Sequence, residues 1–153
     1  MREMELRFLE SGHNTPEQLA DAHLIRRTVF IEEQQIPEPM EWDAHDAQVT
    51  HAVAFNRLGQ PIATGRLLPG EGDRPQVGRI GRMAVLRVMR GGGHGEAVLR
   101  QLEAMARARG DRAITLSAQC RAQGFYARLG YRPVGEVFDD AGIAHIEMER
   151  ALD

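Results

Sequence analysis

The stretch Val77–Leu99 constrains this chain more than any other part. An apolar-rich segment, VGRIGRMAV, passes through Leu86 and Arg-Val-Met-Arg into three consecutive glycines, His94 and Gly95, and then at once into the helix-patterned run EAVLRQLEAMARARG. A strand that empties through a glycine elbow into a helix N-terminus forms a ready anion site. Backbone N–H groups without intrahelical partners converge there, and the helix dipole favours negative charge. Gly91, Gly92, Gly93 and Gly95 carry no Cβ, so a diphosphate can approach the main chain closely.

The rest of the chain reads as a single domain spanning 1–153. Met4–Leu9 alternates like a half-buried strand. Thr15-Pro16-Glu17-Gln18 offers an N-cap, a proline at the first helical position and a capping-box glutamine, and apolar residues at helical spacing then carry a helix to about Ile31. Glu32–His45 holds two prolines and many acids and reads as a loop with a short helical turn. Val49–Phe55 and Ile62–Leu68 pair as strands, and Pro69–Pro75 is a turn. After the Val77–Val85 strand and the elbow, a helix runs to about Arg109, closed by Gly110. Ala113–Ala118 is a strand, Arg121–Leu129 a helix ended by Gly130, and Tyr131–Phe138 with Ile143–Arg150 a final hairpin. A single α/β domain with a mixed sheet follows.

Composition excludes several classes. A domain of this size buries enough surface to need neither metal nor disulfides, and the single cysteine, Cys120, fits a reducing compartment. No apolar run approaches the ~20 residues of a membrane span, and Met1–Glu10 has no signal-peptide core, so a soluble, cytoplasmic protein is expected. The net charge of −3 argues against a nucleic-acid binder. All 19 Lys/Arg positions are arginine, so neither a Schiff-base lysine nor a P-loop ammonium is available. His45 and His51 beside Asp43 and Asp46 lack tight metal-ligand spacing, and no metal is expected.

Three spaced elements carry a resemblance. Arg90-Gly91-Gly92-Gly93-His94-Gly95 fits the Arg/Gln-x-x-Gly-x-Gly/Ala signature of the GNAT superfamily of acetyl-CoA-dependent N-acetyltransferases. Arg79–Val85 looks like that family's fourth strand, and Phe125-Tyr126-Ala127-Arg128-Leu129-Gly130-Tyr131 resembles its C-terminal Phe-Tyr-x-x-x-Gly-Phe/Tyr element. Arg27–Gln34, Asp43, Asp46, His51, Gly65-Arg66-Leu67, Ala118-Gln119 and Gly142-Ile143-Ala144-His145 extend the likeness to the bacterial ElaA-type subgroup over nearly the whole chain. Two departures stand out: Gly92, where the subgroup carries a larger residue, and His94, where an aliphatic is common.

The resemblance implies a GNAT-like α/β domain whose mixed, mostly antiparallel sheet of about six or seven strands has helices on both faces. It implies acetyl-CoA as co-substrate and the primary amine of a small molecule or peptide as acceptor, attacking the thioester directly. The main chain of Met83, Ala84 and Val85 would pair with the pantetheine arm and offer an N–H to the thioester oxygen. Gly91–Gly95, with Arg87, Arg90 and His94, would meet the pyrophosphate, and Gln119 would line the cofactor crevice. Tyr126 would protonate the leaving thiolate: its phenol, with an ordinary pKa of ~10, hydrogen-bonds a thiolate without ionising at neutral pH. For the base the candidates are Glu33, Asp46, His51 and His145, with Glu33 favoured because it ends the first helix beside the acceptor pocket. Glu38, Glu41, Asp43 and Asp46 either draw in a cationic amine or form a solvated loop. A domain of this kind leaves a homodimer open. The competing reading is an acyl-CoA sensor without turnover; a generic nucleotide binder lacks the Gly-Lys-Ser/Thr and the Rossmann-spaced acid.

Overall fold

A computed structural model describes residues 4–9 and 14–153; of β1 only the Arg7 side chain is described, and the Gln18 side chain, with its expected capping role, lies outside it. The elements are β1 (Met4–Leu9), α1 (Pro16–Arg26), α2 (Glu38–Glu41), β2 (Thr50–Asn56), β3 (Pro61–Leu68), β4 (Val77–Val85), α3 (His94–Ala108), β5 (Ala113–Gln119), α4 (Gln123–Arg128), β6 (Arg132–Pro133), β7 (Phe138–Asp140) and β8 (Ile143–Ala151). The strands form one sheet in the order β1-β2-β3-β4-β5-β8-β6, with β7 also on β8. Every pairing is antiparallel except that of β4 with β5.

Period-two alternation along β2 sorts its side chains onto two helical layers. Val53 and Phe55 pack with Ala22, Ile25, Val29 and Phe30 of the first helix. Ala52 and Ala54 point the other way, into the main core with Val98, Leu99, Leu102 and Ala106 of α3. The small residues on that face let α3 settle closely. Gly65 takes this furthest: a Cβ there would stand 2.4 Å from Met83 Sδ and 2.9 Å from Leu102 Cδ1. The helices thus lie on both faces, as the sequence predicts.

Four elements depart from the sequence reading. The first helix does not stop at Ile31; it widens into a π-helical turn over Arg27–Glu33, a feature that often marks functional sites. A 3₁₀ turn, Arg87–Met89, precedes the elbow, and another, Cys120–Ala122, leads into α4. The first strand of the final hairpin is broken into β6 and β7. Pro133 has no N–H to continue a ladder, and Gly135 at φ +89° turns the chain away. Ala141 and Gly142, both at positive φ, close the hairpin.

Buried Glu103 on α3 ties the C-terminal third to the core. It accepts hydrogen bonds from Tyr131 Oη (2.6 Å), Arg100 Nη1 (2.9 Å) and Arg150 Nη1 (2.9 Å). Tyr131 N–H in turn donates to the Tyr126 carbonyl (3.1 Å), so this cluster fixes the end of α4.

Candidate active site

β4 and β5 pair only over Val77–Arg79 and Ala113–Thr115. Beyond those residues β4 follows β3 and β5 follows β8, and the two strands part. A bulge in β4 drives the parting. Thr64 faces Ala84 and Arg66 faces Gly81, so Arg82 and Met83 stand together opposite Gly65. Arg82 is held at φ +52°, a conformation that costs a non-glycine residue of order 1–3 kcal/mol and persists only when neighbours enforce it. The β4 edge facing β5 is therefore unpaired where the strands have separated, and an unpaired edge accepts an extended ligand by main-chain hydrogen bonds.

The gap forms a cavity of about 310 Å³. Gly81, Arg82 and Met83 line it from β4, Ser117 and Gln119 from β5, and Tyr126 from α4; Phe30, Gln34, Met40, Asp140 and His145 complete the walls. Ala84 is buried beneath it against the first helix, and Val85 packs on Gly95, whose absent Cβ would lie 3.3 Å from Val85 Cγ2 and 3.4 Å from Phe125 Cζ. Gln119 Nε2 donates to Gln34 Oε1 (2.9 Å), joining the end of β5 to the end of the π-helical turn.

The elbow leads directly out of β4. Gly91 (φ +87°) and Gly93 (φ +83°) adopt left-handed backbone that L side chains resist. Gly93 is the N-cap of α3, and the first intrahelical bond runs from Ala97 N–H to Gly93 C=O (3.0 Å). The N–H groups of the preceding residues have no helical acceptor. His94 folds back towards Gly92, whose Cβ would meet His94 Nε2 at 2.8 Å. Arg87 is exposed on the preceding 3₁₀ turn.

Glu33 and Arg90 find each other. Arg90 Nη1 and Nη2 donate to Glu33 Oε2 and Oε1, both at 2.8 Å, while Arg90 Nε donates to the Val85 carbonyl (3.0 Å). The Arg90 hydrogen bonds hold Glu33 below its ordinary pKa, which makes it a poor proton acceptor, and it does not line the cavity.

Three of the loop acids are tied up in ion pairs within the protein: Glu41 and Asp46 are buried, and Asp43 is partly exposed. Asp46 Oδ1 accepts from Arg26 Nη1 and Arg66 Nη1, each at 2.8 Å, and Oδ2 lies 3.0 Å from His23 Nε2. Arg26 Nε also donates to Glu41 Oε2 (2.8 Å), and Arg66 Nη2 to Asp43 Oδ2 (2.7 Å). Arg82 joins at the bulge, its Nε 3.2 Å from Glu41 Oε2, close enough for charge attraction though not aligned as a hydrogen bond. Three guanidiniums thus balance three carboxylates, which explains how Arg82 is kept at its unfavourable φ. Burial alone would raise Asp46, yet the hydrogen bonds of His23 and Arg26 and the nearby guanidiniums hold it far below the usual carboxylate range. Asp43 is lowered too, with Arg66 outweighing burial. Burial dominates at Glu41 and pushes it up. His51 is buried with Nε2 2.8 Å from the Asp46 carbonyl, and burial lowers its pKa. Glu38 pairs instead with Arg27 at the surface, and His45 is exposed. No group of three metal-ligating side chains occurs among the described residues.

Tyr126 is 8% exposed and packs edge-on against Phe125 (5.0 Å) and Tyr131 (5.9 Å). Burial pushes its phenol well above 10, so it keeps its proton. Cys120 is half-buried beside Glu33 and Gln34, outside the main cavity.

A bulged, splayed parallel strand pair, an unpaired main-chain edge and a glycine turn at a helix N-terminus together define an acyl-thioester-binding class of transferase fold. The chain belongs to the GNAT acetyltransferase domain family, whose model matches residues 13–152 and whose members use acyl-CoA as co-substrate. It is 35% identical over 133 residues to the uncharacterized N-acetyltransferase YjcF of Bacillus subtilis, covering 86% of this chain and 91% of that one. The crystal structure of Escherichia coli ElaA superposes with a TM-score of 0.84 at 27% identity, covering 96% of this chain and 99% of that one. An acyl-CoA N-acyltransferase from Pseudomonas aeruginosa superposes with a TM-score of 0.82 at 32% identity, covering 97% and 99%. Among the described residues no helix is long and apolar enough to cross a membrane.

Proposed function

We propose that the protein transfers the acetyl group of acetyl-CoA to the primary amine of a small molecule or peptide, by direct attack of the amine on the thioester. The observation that carries this reading is the convergence of the unpaired β4 edge and the buried phenol of Tyr126 on one cavity, with the glycine elbow following β4 in the chain. The pantetheine arm lies along Met83–Val85 as an added strand, and the pyrophosphate meets the N–H groups of Gly91–Gly95. Arg87 lends charge there, and Arg90 divides its guanidinium between Glu33 and the phosphates. A main-chain N–H near the bulge faces the thioester oxygen; one such preorganised donor is worth ~3 kcal/mol in other acyl-transfer enzymes.

As the amine nitrogen bonds to the carbonyl carbon, the C–S bond breaks and the electron pair goes to sulfur. Tyr126, kept neutral by its buried setting, donates its proton to that sulfur. Glu33 is not the base in this scheme, because Arg90 occupies both its carboxylate oxygens and weakens it as a proton acceptor, and it lies outside the cavity.

Release of CoA thiol from acetyl-CoA, measured across a panel of primary amines, tests the reading. Tyr126→Phe is expected to lower turnover by about 10²-fold, at the low end for loss of a general acid, while acetyl-CoA affinity by calorimetry stays within about threefold, a difference under ~0.7 kcal/mol. Tight acetyl-CoA binding with no thiol released by any amine would make the protein a sensor. Unchanged turnover in Tyr126→Phe would remove the phenol from the chemistry.

A further inference from the structure

We propose that His145 is the general base that deprotonates the acceptor ammonium, an assignment that rests on the N-acetyltransfer reading. Its tautomer is set by the fold. His145 Nδ1 lies 2.7 Å from the Ile143 carbonyl, and a carbonyl only accepts, so Nδ1 carries the hydrogen. The neutral ring therefore has its lone pair on Nε2, which makes no hydrogen bond among the described residues. The ring stacks on Phe138 at 5.8 Å and 27°, and this contact with the Ile143 bond fixes its plane. The residue is 9% exposed yet lines the same cavity as Tyr126 and Met83. An imidazole held by a backbone carbonyl at one nitrogen and open at the other is the arrangement a base requires.

The other candidates are occupied. Asp46 and His51 are committed to the buried ionic network, and Glu33 to Arg90. The groups facing His145 leave it available. Gln119 opposes it on β5 and Phe138 on β7. Glu147, two residues along β8, is engaged by Arg79, Thr115 and Ser117. Asp140 stands at the hairpin, and across the cavity lie Tyr126, Arg82 and Glu41. Arg82 and Glu41 belong to the balanced network of three guanidiniums and three carboxylates, and Arg79, which also lines the cavity, is paired with Glu147, which leaves the Asp140 carboxylate as the charge that favours an incoming ammonium.

The protons balance. The ammonium gives one to Nε2, and the neutral amine then forms the C–N bond. Sulfur leaves with the C–S pair and takes the Tyr126 proton. The second proton of the attacking nitrogen returns through solvent to the Tyr126 oxygen, and His145 releases its own to bulk water.

The test compares benzylamine, charged at neutral pH, with aniline, already neutral there, as acceptors at saturating acetyl-CoA. The variant is His145→Asn, whose side-chain amide can still donate to the Ile143 carbonyl. With benzylamine kcat/KM is expected to fall about 100-fold or more, while acetyl-CoA affinity stays within threefold. With aniline the loss shrinks to less than about fivefold, since that acceptor has no ammonium proton to lose. Added imidazole should restore benzylamine turnover to His145→Gly. Equal losses for both amines, or a benzylamine rate above a third of wild type, would overturn the assignment while leaving N-acetyltransfer intact. A wild-type protein that binds acetyl-CoA but turns over neither amine would overturn both.

Discussion

Asp46→Asn is the sharpest probe of what holds the β4 bulge. The substitution keeps the side chain's shape and removes one negative charge from between two buried guanidiniums. Arg26 is 1% exposed, and both Arg26 and Arg66 donate to Asp46 Oδ1 at 2.8 Å. Removing one partner of a buried ion pair typically costs ~3–5 kcal/mol, because the remaining charge stays buried without compensation. An asparagine oxygen can still accept both bonds, though without the charge, and Glu41 and Asp43 remain nearby, so the lower end, about 3 kcal/mol, is expected. That is a large share of the ~5–15 kcal/mol that a domain commands, and at ~2–4 °C per kcal/mol for this chain length it lowers Tm by about 6–12 °C. Urea unfolding followed by circular dichroism gives the free energy directly. Glu38→Gln serves as the control: it breaks the Arg27–Glu38 pair, where both side chains are more than 40% exposed, and should be indistinguishable from wild type. A loss below about 1 kcal/mol in Asp46→Asn, within the range of a surface pair, would refute the claim that this network is buried and mutually dependent.

Three further outcomes follow from the same geometry. Stability should be full above about pH 4, the ordinary range for an unfolded-chain aspartate. It should then fall as pH drops through the depressed native values of Asp43, Asp46 and Glu147; Glu41, shifted the other way, blunts the slope, and a flat urea midpoint from pH 7 to 2.5 would contradict this. Gly65→Ala puts a methyl group into Met83 Sδ and Leu102 Cδ1 and should cost about 1–3 kcal/mol, as overpacking does; a thermal melt equal to wild type would show that the bulge is looser than described. Gly93→Ala forces a side chain into left-handed backbone at ~1–2 kcal/mol and should weaken acetyl-CoA binding about tenfold by calorimetry; undiminished affinity would detach the elbow from the phosphates.

Much of the fold was legible because it is locally encoded. The strand–elbow–helix unit, the Gly110 and Gly130 helix stops and the alternation along β2 depend on residues within a few positions of one another, and each appears where the sequence predicts. The break between β6 and β7 does have a local signal, in the missing N–H of Pro133 and the positive φ of Gly135, although Tyr131–Phe138 reads from the sequence as one hairpin strand. The π-helical turn at Arg27–Glu33 and the bulge at Arg82 left no comparable local signal.

The site divides along the same line. By itself the sequence determined that a glycine turn would sit at the N-terminus of α3, because only local backbone geometry is needed for that. It also determined the motif that carries Tyr126. Which acids and bases are free was a tertiary matter. Glu33 and Arg90 are 57 positions apart, Asp46 and Arg66 are 20 apart, and Arg79 and Glu147 are 68 apart. Charge pairing acts through space and not along the chain, so a list of acidic and basic residues cannot say which of them cancel. Folding spent Glu33, Asp46 and His51 on partners and left the Nε2 edge of His145 open, because the Ile143 carbonyl two residues away claimed the opposite nitrogen.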